Sequence, residues 1–558
     1  MIYLLGLATM SLAWLLPGHD YPWAAFEQEA TAGVGAALVA LGAFLAPRNV
    51  AWRVPVPALL ALLLSIVPPL QWATGLIPYK SDALLASVYL AGFGLAAIAG
   101  CRLSLGTGSF LPTLFGALAM GAMAAFGIGL AQWLQLGPFT FIDQLAPGAR
   151  VCANFAQPNH LATLLGLGIV ATIWAYEARR IHGWVACLGI APLAFGLAMT
   201  QSRVGWLFVA ALVMLWGAYR RRLGLCTPGA AVAAWVLLFA LTVLAWPLLT
   251  HAMAGSEATS LMQRIQSGNR WVNWQTIWDA VLRSPWLGYG WNQVSAAQQA
   301  AVLDHPATFE WWGNSHNLLL DLLAWNGLPL GVASIGVGVW WAVLVLRGCA
   351  GSDAWALIAA LAILLTHSMV EFPLMYAYFL LPAGLLVGAL DARMVATDTA
   401  RPHRNFFGRG MFAVIAVAVV SLSVAIADEY LEIDRAVHDL RFRDAGYKQG
   451  VEVPNVALLD GPREYVLLWA TKNDDGDPGA DIAWLRTVSQ RFATPPALLR
   501  YAAATGVRGD STEAMHTLQI LCSISLPKYC DEGREKWTQM SERFPALLQV
   551  AFPQTPLH

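Results

Sequence analysis

Charged residues are scarce in this chain. Asp, Glu, Lys and Arg make up only 12% of the 558 residues, whereas hydrophobic residues make up 58%, and the mean hydropathy is +0.56. A soluble globular protein has about 25% charged residues, so the composition excludes that class for most of the chain. The net charge is −1, and no nucleic-acid partner is expected.

The few acidic residues lie mostly after residue 427, which predicts a domain boundary at that point. Upstream, apolar runs of membrane-spanning length follow one another. We predict an all-α, polytopic membrane protein: a transmembrane catalytic domain at 1–427 and a small α-helical domain at 428–558. The predicted spans number about thirteen, at 3–17, 30–46, 54–74, 83–100, 110–135, 159–177, 184–200, 204–219, 229–250, 316–346, 354–370, 374–390 and 410–427.

The first apolar run lacks the basic leader and the small-residue cleavage site of a secretory signal, so we expect it to remain as a span. Orientation follows from the basic residues, because cytoplasmic loops are enriched in them. Alternate connections carry Arg48, Arg53, Arg102, Arg179, Arg180, Arg220, Arg221, Arg222, Arg347, Arg393, Arg401, Arg404 and Arg409. The N-terminus is therefore expected to be cytoplasmic, with the loop 251–315 and the tail 428–558 on the outer face.

Four arginines break this pattern, because they fall on the predicted outer face: Arg150, Arg203, Arg264 and Arg270. Each could extend toward lipid headgroups or pair with a nearby acid such as Asp143, Glu257 or Asp279. Together they indicate an anionic ligand, since the guanidinium fork binds phosphate through two hydrogen bonds.

Several outer span ends also begin with residues typical of helix starts. Gln157 to His160 open one span, and comparable segments lie at 200–203, 314–317 and 367–373. Helix N-termini carry partial positive charge and bind anions. The alternative is ordinary capping, which we expect of Asn314 or Ser315.

Histidines and acids gather on the same predicted face, namely His160, His316, His367, Glu371, Asp304, His305 and Glu310. Most histidines at span ends are hydrogen-bonded structural residues. His316 is the exception that we favour, because a polar run meets a helix start there. No metal-binding spacing such as HExxH or paired CxxC is present, so neither a metal site nor another cofactor is expected.

Five segments carry a resemblance to a known family: RVCANFAQPNHLATLL, TQSRVGW, SGNRWVNWQTIWDAV with PWLGYGWNQ, SHNLLLDLLAWNGLPLG and HSMVEFPLMYAYFLLPAGLLVG, in that order. In these segments the chain resembles the O-antigen ligase and polymerase-like superfamily. Within it, QPNHLA and the extra tail resemble the bacterial protein O-oligosaccharyltransferases of the pilin glycosylase type. One departure is Phe372, where this branch often has tyrosine, so that Tyr376 or Tyr378 would have to replace that hydroxyl.

The resemblance implies en bloc transfer of an oligosaccharide from an undecaprenyl diphosphate carrier to Ser or Thr of a periplasmic or pilin-like protein. It places the enzyme in the bacterial inner membrane, in contact with membrane lipid, with its active site in the periplasm. The implied roles are His316 and Glu371 in catalysis, Arg150, Arg203 and Arg270 on the donor diphosphate, and Gln157, Asn159, His160, Asn317 and Tyr376 in substrate binding.

Other functions use much the same residues. An O-antigen ligase would transfer the same donor to lipid A core, and a lipid-linked glycan polymerase or flippase is the next alternative. A transporter is disfavoured, because its polar residues should lie at the membrane midplane, whereas those in this chain lie at span ends.

Cysteine placement gives a further expectation. Cys522 and Cys530 both lie in the tail and enclose a short segment, so an oxidising compartment should keep them bonded. Cys152 is also predicted on the outer face but has no evident partner.

The lack of a metal-binding pattern leads to a direct test. If arginines stabilise the diphosphate, purified enzyme should keep its transfer activity in EDTA. Loss of activity on chelation, with recovery on adding Mg²⁺ or Mn²⁺, would show that the arginine mechanism is wrong.

Overall fold

The computed structural model describes residues 1–558 except 20, 138, 147, 255–268, 397–407, 472–480 and 556–558. Glu257, Arg264, Arg401 and Arg404 lie outside the described residues. Within the described ranges the chain forms helices and no strands, which confirms the all-α prediction.

The helices are α1 (Ile2–Ala13), α2 (Phe26–Leu45), α3 (Val56–Leu64), α4 (Val67–Ala73), α5 (Lys80–Gly106), α6 (Phe110–Trp133), α7 (Pro158–Glu177), α8 (Gly183–Met199), α9 (Arg203–Leu223), α10 (Gly229–Ala254), α11 (Arg270–Arg283), α12 (Val294–Ala301), α13 (Leu318–Gly348), α14 (Gly351–Ser368), α15 (Ala377–Ala396), α16 (Arg409–Asp444), α17 (Asp460–Ala470), α18 (Ile482–Arg491), α19 (Pro495–Val507), α20 (Ser511–Ile524) and α21 (Pro527–Arg543). Short 3-10 helices lie at Ala153–Phe155, Val302–Asp304, Pro373–Met375 and Pro545–Gln549.

Each of the predicted apolar runs coincides with helix. Among the described residues, 10 helices are long and apolar enough to cross a membrane, with α3 and α4 together counted as one span. The helices α1 and α8 are apolar but shorter, and α9, which ends in three arginines, is not among the ten. The chain is a multi-pass membrane protein, and the count of thirteen spans and their orientation stay predictions.

The chain divides into two compact units. The first comprises Met1–Leu64, Val88–Ser267 and Val337–Leu422, and the second comprises Ser65–Ser87, Gly268–Gly336 and Ser423–His558. The predicted boundary at 427/428 stays a prediction. At that point the backbone continues without interruption as the 36-residue helix α16.

In the first unit, α7 is the central helix, and 89% of the residues in its 18-residue apolar stretch are buried. Helix α7 is apolar on all sides, as expected for a helix that other helices surround, and it packs against α6, α8, α9 and α14. Elsewhere in this unit α5 and α15 approach so closely that a Cβ added at Gly388 would lie 1.9 Å from the carbonyl oxygen of Ala97. Only glycine fits there, as in other close membrane helix contacts.

The second unit joins the tail helices to segments from earlier in the chain. Arg491 binds the Asp82 carboxylate through two hydrogen bonds of 2.7 and 2.8 Å. The Asp460 carboxylate accepts hydrogen bonds from the backbone N–H groups of Lys80 and Ser81, at 2.9 and 2.8 Å. These contacts fix the start of α5 to α17 and α18.

Glu429 makes a similar attachment from α16. Its carboxylate accepts hydrogen bonds from the backbone N–H groups of Ala457, Leu458 and Leu459, at 2.9, 2.7 and 2.9 Å. The segment that leads into α17 is therefore held by a residue of the preceding helix.

The apolar core of the tail includes the side chains of Leu518, Leu521 and Trp537. Within this core the structure joins Cys522 to Cys530, the pair expected from the sequence, with their Cα atoms 4.9 Å apart. Cys152 is buried and free.

Non-reducing peptide mapping should recover the peptides of Cys522 and Cys530 as a linked pair. Replacing both cysteines with serine should lower the free energy of unfolding of the tail by about 2–3 kcal/mol, because the unfolded chain regains the entropy of a short loop. Free thiols at both positions would contradict the bond and the expectation that the tail lies in an oxidising compartment.

Candidate active site

Three of the helix starts singled out in the sequence contain or follow a residue with positive φ. Ala156 has φ 51°, Gln201 has φ 50°, and His316 has φ 59°. Residues other than glycine rarely adopt this left-handed conformation, and it costs about 1–3 kcal/mol where they do. Such strain concentrates at functional sites, so these three turns are candidate positions for one.

In the first unit, the side-chain amide of Asn159 joins several polar groups. Its Oδ1 accepts hydrogen bonds from Ser202 Oγ at 2.6 Å and from Arg150 Nη2 at 3.3 Å. Its Nδ2 donates to Glu371 Oε1 at 3.1 Å. Three predicted site residues, Arg150, Asn159 and Glu371, therefore meet in one network. Arg150 also donates through Nε to the carbonyl oxygen of Thr200, at 3.2 Å.

The local sequence explains how these groups are placed. Pro158 occupies the first turn of α7, where a missing N–H costs nothing, and Asn159 follows it. Ser202 is the N-cap of α9, and its Oγ accepts a hydrogen bond from Val204 N at 3.2 Å. The strained Gln201 directly precedes this cap. The Ser202 side chain at the start of α9 therefore contacts the Asn159 amide at the start of α7.

The remaining donor and substrate candidates of this unit differ in exposure. Arg203 is exposed in the first turn of α9, and among the described residues its guanidinium has no hydrogen-bond or ion-pair partner. Gln157 is the N-cap residue of α7, but its side chain does not cap the helix. Its Oε1 is buried and, among the described groups, accepts no hydrogen bond.

His160 belongs to a buried aromatic cluster beside this network. It is only 1% exposed, and its Nδ1 lies 2.7 Å from the hydroxyl of Tyr378. The ring of Tyr376 lies 4.7 Å from the His160 ring, edge to face. Of the two tyrosines considered as substitutes for a hydroxyl at Phe372, Tyr378 is therefore the one that contacts His160 through its hydroxyl. His367 Nδ1 lies 2.6 Å from the hydroxyl of Thr163.

A second set of site residues lies in the second unit, where a loop leads into α13. The Ser315 carbonyl accepts hydrogen bonds from Asn273 Nδ2 at 3.3 Å and Trp274 Nε1 at 3.0 Å, both on α11. The Ser315 N–H donates to Asp321 Oδ1 at 2.7 Å. Ser315 is therefore fixed on both sides, and His316 follows it with φ 59°.

The helix cap differs from the expectation. Asn317 caps α13, because its Oδ1 accepts hydrogen bonds from the N–H groups of Leu319 and Leu320 at 3.0 and 3.3 Å. Neither Asn314 nor Ser315 has this role, and the prediction that one of them is the cap is wrong. The left-handed His316 shifts the helix start by placing Asn317 at the first position that can cap it.

Electrostatics in this loop favour a neutral imidazole. The pKa of His316 is lowered to about 4, first by burial and then by the positive charge of Arg270. At neutral pH the ring is therefore unprotonated, and its low pKa makes it a weaker base than an ordinary imidazole. The acid proposed as an arginine partner binds elsewhere: Asp279 pairs with Arg283 at 2.8 Å.

Sequence reasoning missed a polar scaffold around the segment that carries Arg150. His19 Nε2 lies 3.2 Å from Asp143 Oδ2. Burial alone would lower the pKa of His19, but its contacts with Asp143 hold that pKa above the ordinary value. Asn154 is fully buried, donates to the carbonyls of Leu15 and Phe141 at 2.7 and 2.9 Å, and so fixes the strained turn before α7.

The sequence offered a signal for only part of this set. Ser202 stands directly before an apolar run, as N-caps do, and could have been added to the site on that ground. His19 and Asn154 lie 135 residues apart in the chain, and no local pattern joins them. Among the described residues, no group of three or more His, Cys, Asp or Glu side chains could hold a metal ion.

Comparison with known proteins assigns the chain to a family. Three protein-family models match successive parts of the sequence. The family "protein glycosylation ligase" matches residues 151–174, and the family "O-antigen ligase" matches residues 188–335. The family "virulence factor membrane-bound polymerase, C-terminal" matches residues 355–522. A general O-oligosaccharyltransferase of Acinetobacter baylyi is 32% identical over 413 residues, which are 70% of each chain. The chain belongs to the O-oligosaccharyltransferase family. A ComP-specific O-oligosaccharyltransferase of the same organism is 26% identical over 274 residues, 49% of each chain.

These comparisons confirm the resemblance that the sequence motifs indicated, and with it the glycosyltransferase class. The match to the protein glycosylation ligase model contains Ala156 and Asn159. The match to the O-antigen ligase model contains Ser202 and His316. These two family models therefore include the strained helix starts of both units.

The Asn159 network gives a first prediction for the site. Asn159→Leu should lower both the melting temperature in detergent and the transfer activity, because buried Glu371 and Ser202 each lose the hydrogen bond to Asn159, at about 1–3 kcal/mol for a buried group that loses its bond. Thr172→Val on the same helix is the control, since the Thr172 hydroxyl donates only to the Gly168 carbonyl one turn earlier. Equal behaviour of the two variants would show that the network has no special role.

The pH dependence gives a second prediction. Above about pH 4 the imidazole of His316 is neutral, so wild-type transfer should lose its His316-dependent step only as the pH falls through that value. Arg270→Gln removes the second cause of the lowered pKa, and the acid limb of kcat/KM should move to higher pH. Arg283→Gln on the same helix is the control and should leave the limb in place. An unmoved limb in R270Q would argue against His316 as the titrating base.

Proposed function

We propose that this enzyme transfers an oligosaccharide en bloc from an undecaprenyl diphosphate carrier to Ser or Thr hydroxyls of periplasmic or pilin-like proteins. Family membership supports the class of reaction. The observation that carries the proposal is the network in which Asn159 holds Arg150 and Glu371 together between the starts of α7 and α9. Such a site suits an anionic donor, because a guanidinium and two helix N-termini lie beside it.

The chemical problem is the departure of a diphosphate from the anomeric carbon. The acceptor oxygen forms its bond to that carbon while the bond to the diphosphate oxygen breaks, and the electron pair leaves with the diphosphate. Arg150 and the exposed Arg203 would stabilise the developing negative charge, with Arg270 assigned the same role in the second unit. A guanidinium binds two phosphate oxygens at once, which a lysine cannot do.

The acceptor proton must also move. We assign its removal to His316, whose lowered pKa leaves the imidazole neutral at pH 7. Glu371 keeps its proposed catalytic role through Asn159, to which it is hydrogen-bonded. Gln157, His160, Asn317 and Tyr376 remain candidate substrate contacts. The side-chain oxygen of Asn317 is engaged in capping, so its amide N–H₂ is the group proposed for the ligand.

The proposed location is the bacterial inner membrane, with the N-terminus in the cytoplasm and the site and tail in the periplasm. Two features support it: the distribution of arginines among the connections, and the disulfide in the tail, which belongs in an oxidising compartment.

A second candidate function is ligation of O-antigen to lipid A core. The match of residues 188–335 to the O-antigen ligase model supports it. The donor would be the same, and only the acceptor distinguishes the two activities.

Co-expression with a lipid-linked glycan and a pilin-like protein, in a host that lacks its own ligase, tests the proposal. Intact-mass analysis of the protein acceptor should show a mass increase equal to one whole glycan. Glycan on lipid A core, with none on the protein, would support the second candidate instead.

Substitutions of His316 separate chemistry from structure. His316→Asn should fold like the wild type, because asparagine tolerates positive φ better than most residues, yet it should lose about 10²- to 10⁴-fold in transfer, since it cannot act as a base. His316→Ala should lose a similar amount. Near-normal transfer by H316N would remove His316 from the mechanism.

Arg203→Lys is the companion test of the donor site. Arg203 is exposed, so this change should leave stability unaltered, but the loss of the bidentate fork should raise the KM for the donor. Arg508→Lys, at an exposed position directly after α19, is the matched control. A donor KM equal to that of the wild type would show that Arg203 does not bind the diphosphate.

A further inference from the structure

A cavity with mixed polar and apolar walls lies entirely within the second unit. It holds about 420 Å³ of space that water can occupy, and it is bounded by α12, α18, α19, α20 and the segment around Pro78. Small-molecule sites usually measure about 300–1,000 Å³, so this space is within the range of a site for a small ligand. None of the residues assigned above to the reaction lines it.

The polar residues of the cavity wall follow the periodicity of the helices that carry them. On α18, Arg486 and Gln490 face the cavity at a spacing of four residues, while Val488 of the same helix is fully buried. On α20, Glu513 and His516 face it at a spacing of three. Residues three or four apart share one face of a helix, so each helix gives a polar stripe to the cavity and an apolar one to the core.

Two side chains of this wall are available to a ligand. Among the residues that the structure describes, neither the Arg486 guanidinium nor the His516 imidazole has a hydrogen-bond or ion-pair partner, and both are exposed. Others are fixed as parts of the wall. Glu513 Oε1 accepts a hydrogen bond from the hydroxyl of Tyr501 at 2.7 Å, and Gln299 Nε2 donates to the Gln490 carbonyl at 2.9 Å.

The lining distinguishes among ligand classes. The walls contain apolar residues such as Leu498, but a polyprenyl chain would cover the charged Arg486 and Glu513 without offering either a hydrogen bond. A diphosphate would need an excess of positive charge, whereas Arg486 is opposed here by Glu513. The cavity offers amides, one charge of each sign and the rings of Tyr289 and Tyr501. This combination suits a ligand rich in hydroxyl groups, whose C–H faces lie on aromatic rings while its hydroxyls bond to amide and charged groups.

We infer that this cavity binds the distal sugars of the oligosaccharide that the enzyme transfers. The inference rests on the proposed function, because en bloc transfer brings a whole glycan to the enzyme while only its reducing-end sugar reacts. Binding energy from the distal sugars would then be available to hold the donor.

Binding can be measured without the reaction. The probe is the free reducing oligosaccharide released by mild acid from the host's lipid-linked donor, added to purified full-length protein in detergent and followed by saturation-transfer NMR. Gln490→Ala and His516→Ala should each weaken binding about fivefold to tenfold, the effect of one hydrogen bond. Gln519→Ala, an exposed position on α20 that does not line the cavity, is the control and should bind like the wild type.

Transfer assays with two donors separate this inference from the proposed function. Q490A and H516A should raise the KM for an oligosaccharide donor and leave the KM for a single-sugar donor unchanged. If the wild type transfers both donors and the variants match it with each, the cavity does not bind glycan. If the wild type transfers neither, the proposed function itself fails. Loss of binding to a Ser/Thr acceptor peptide, with glycan binding intact, would assign the cavity to the acceptor and overturn the inference.

Discussion

The hydrogen bonds of the Asn159 side chain are the interactions on which the candidate site in the first unit depends. An amide is suited to this position because it offers an acceptor and a donor at once. Its oxygen accepts hydrogen bonds from Arg150 and Ser202, and its nitrogen donates one to Glu371. An arginine and a carboxylate are thereby held in one network, through an uncharged group.

Backbone conformation supports this arrangement. Ala156 and Gln201 stand in the left-handed region directly before the two helix starts that supply Asn159 and Ser202. His316 has the same conformation, and Asn317 caps α13 after it. In each case the polar contacts nearby offset the strain, and the result is a side chain held at the point where loop becomes helix. Preorganisation of this kind is what electrostatic catalysis needs, because the groups do not have to rearrange when charge develops.

The sequence allowed the helical, multi-pass fold to be predicted, since runs of membrane-spanning length have no other stable structure in lipid. The meeting of Arg150, Asn159 and Glu371 followed less directly, from the expectation that outer helix starts would gather. The cap of α13 was predicted wrongly because Asn314 and Ser315 are as good capping residues as Asn317, and a positive φ at His316 cannot be read from its residue type. The contacts of His19 with Asp143 and of Asn154 with Leu15 depend on tertiary packing between distant segments, which no local pattern records.

The uninterrupted path of α16 and the contacts of Glu429 have a consequence for work on the tail alone. A fragment that begins at the loop after α16 would leave the N–H groups of Ala457, Leu458 and Leu459 without the carboxylate that they share. A fragment that begins several turns before Glu429 adds part of the apolar face of α16, where Val420 and Val424 are exposed. A fragment of the tail for expression in soluble form should therefore begin just before Glu429, so that it keeps this carboxylate and omits the exposed valines.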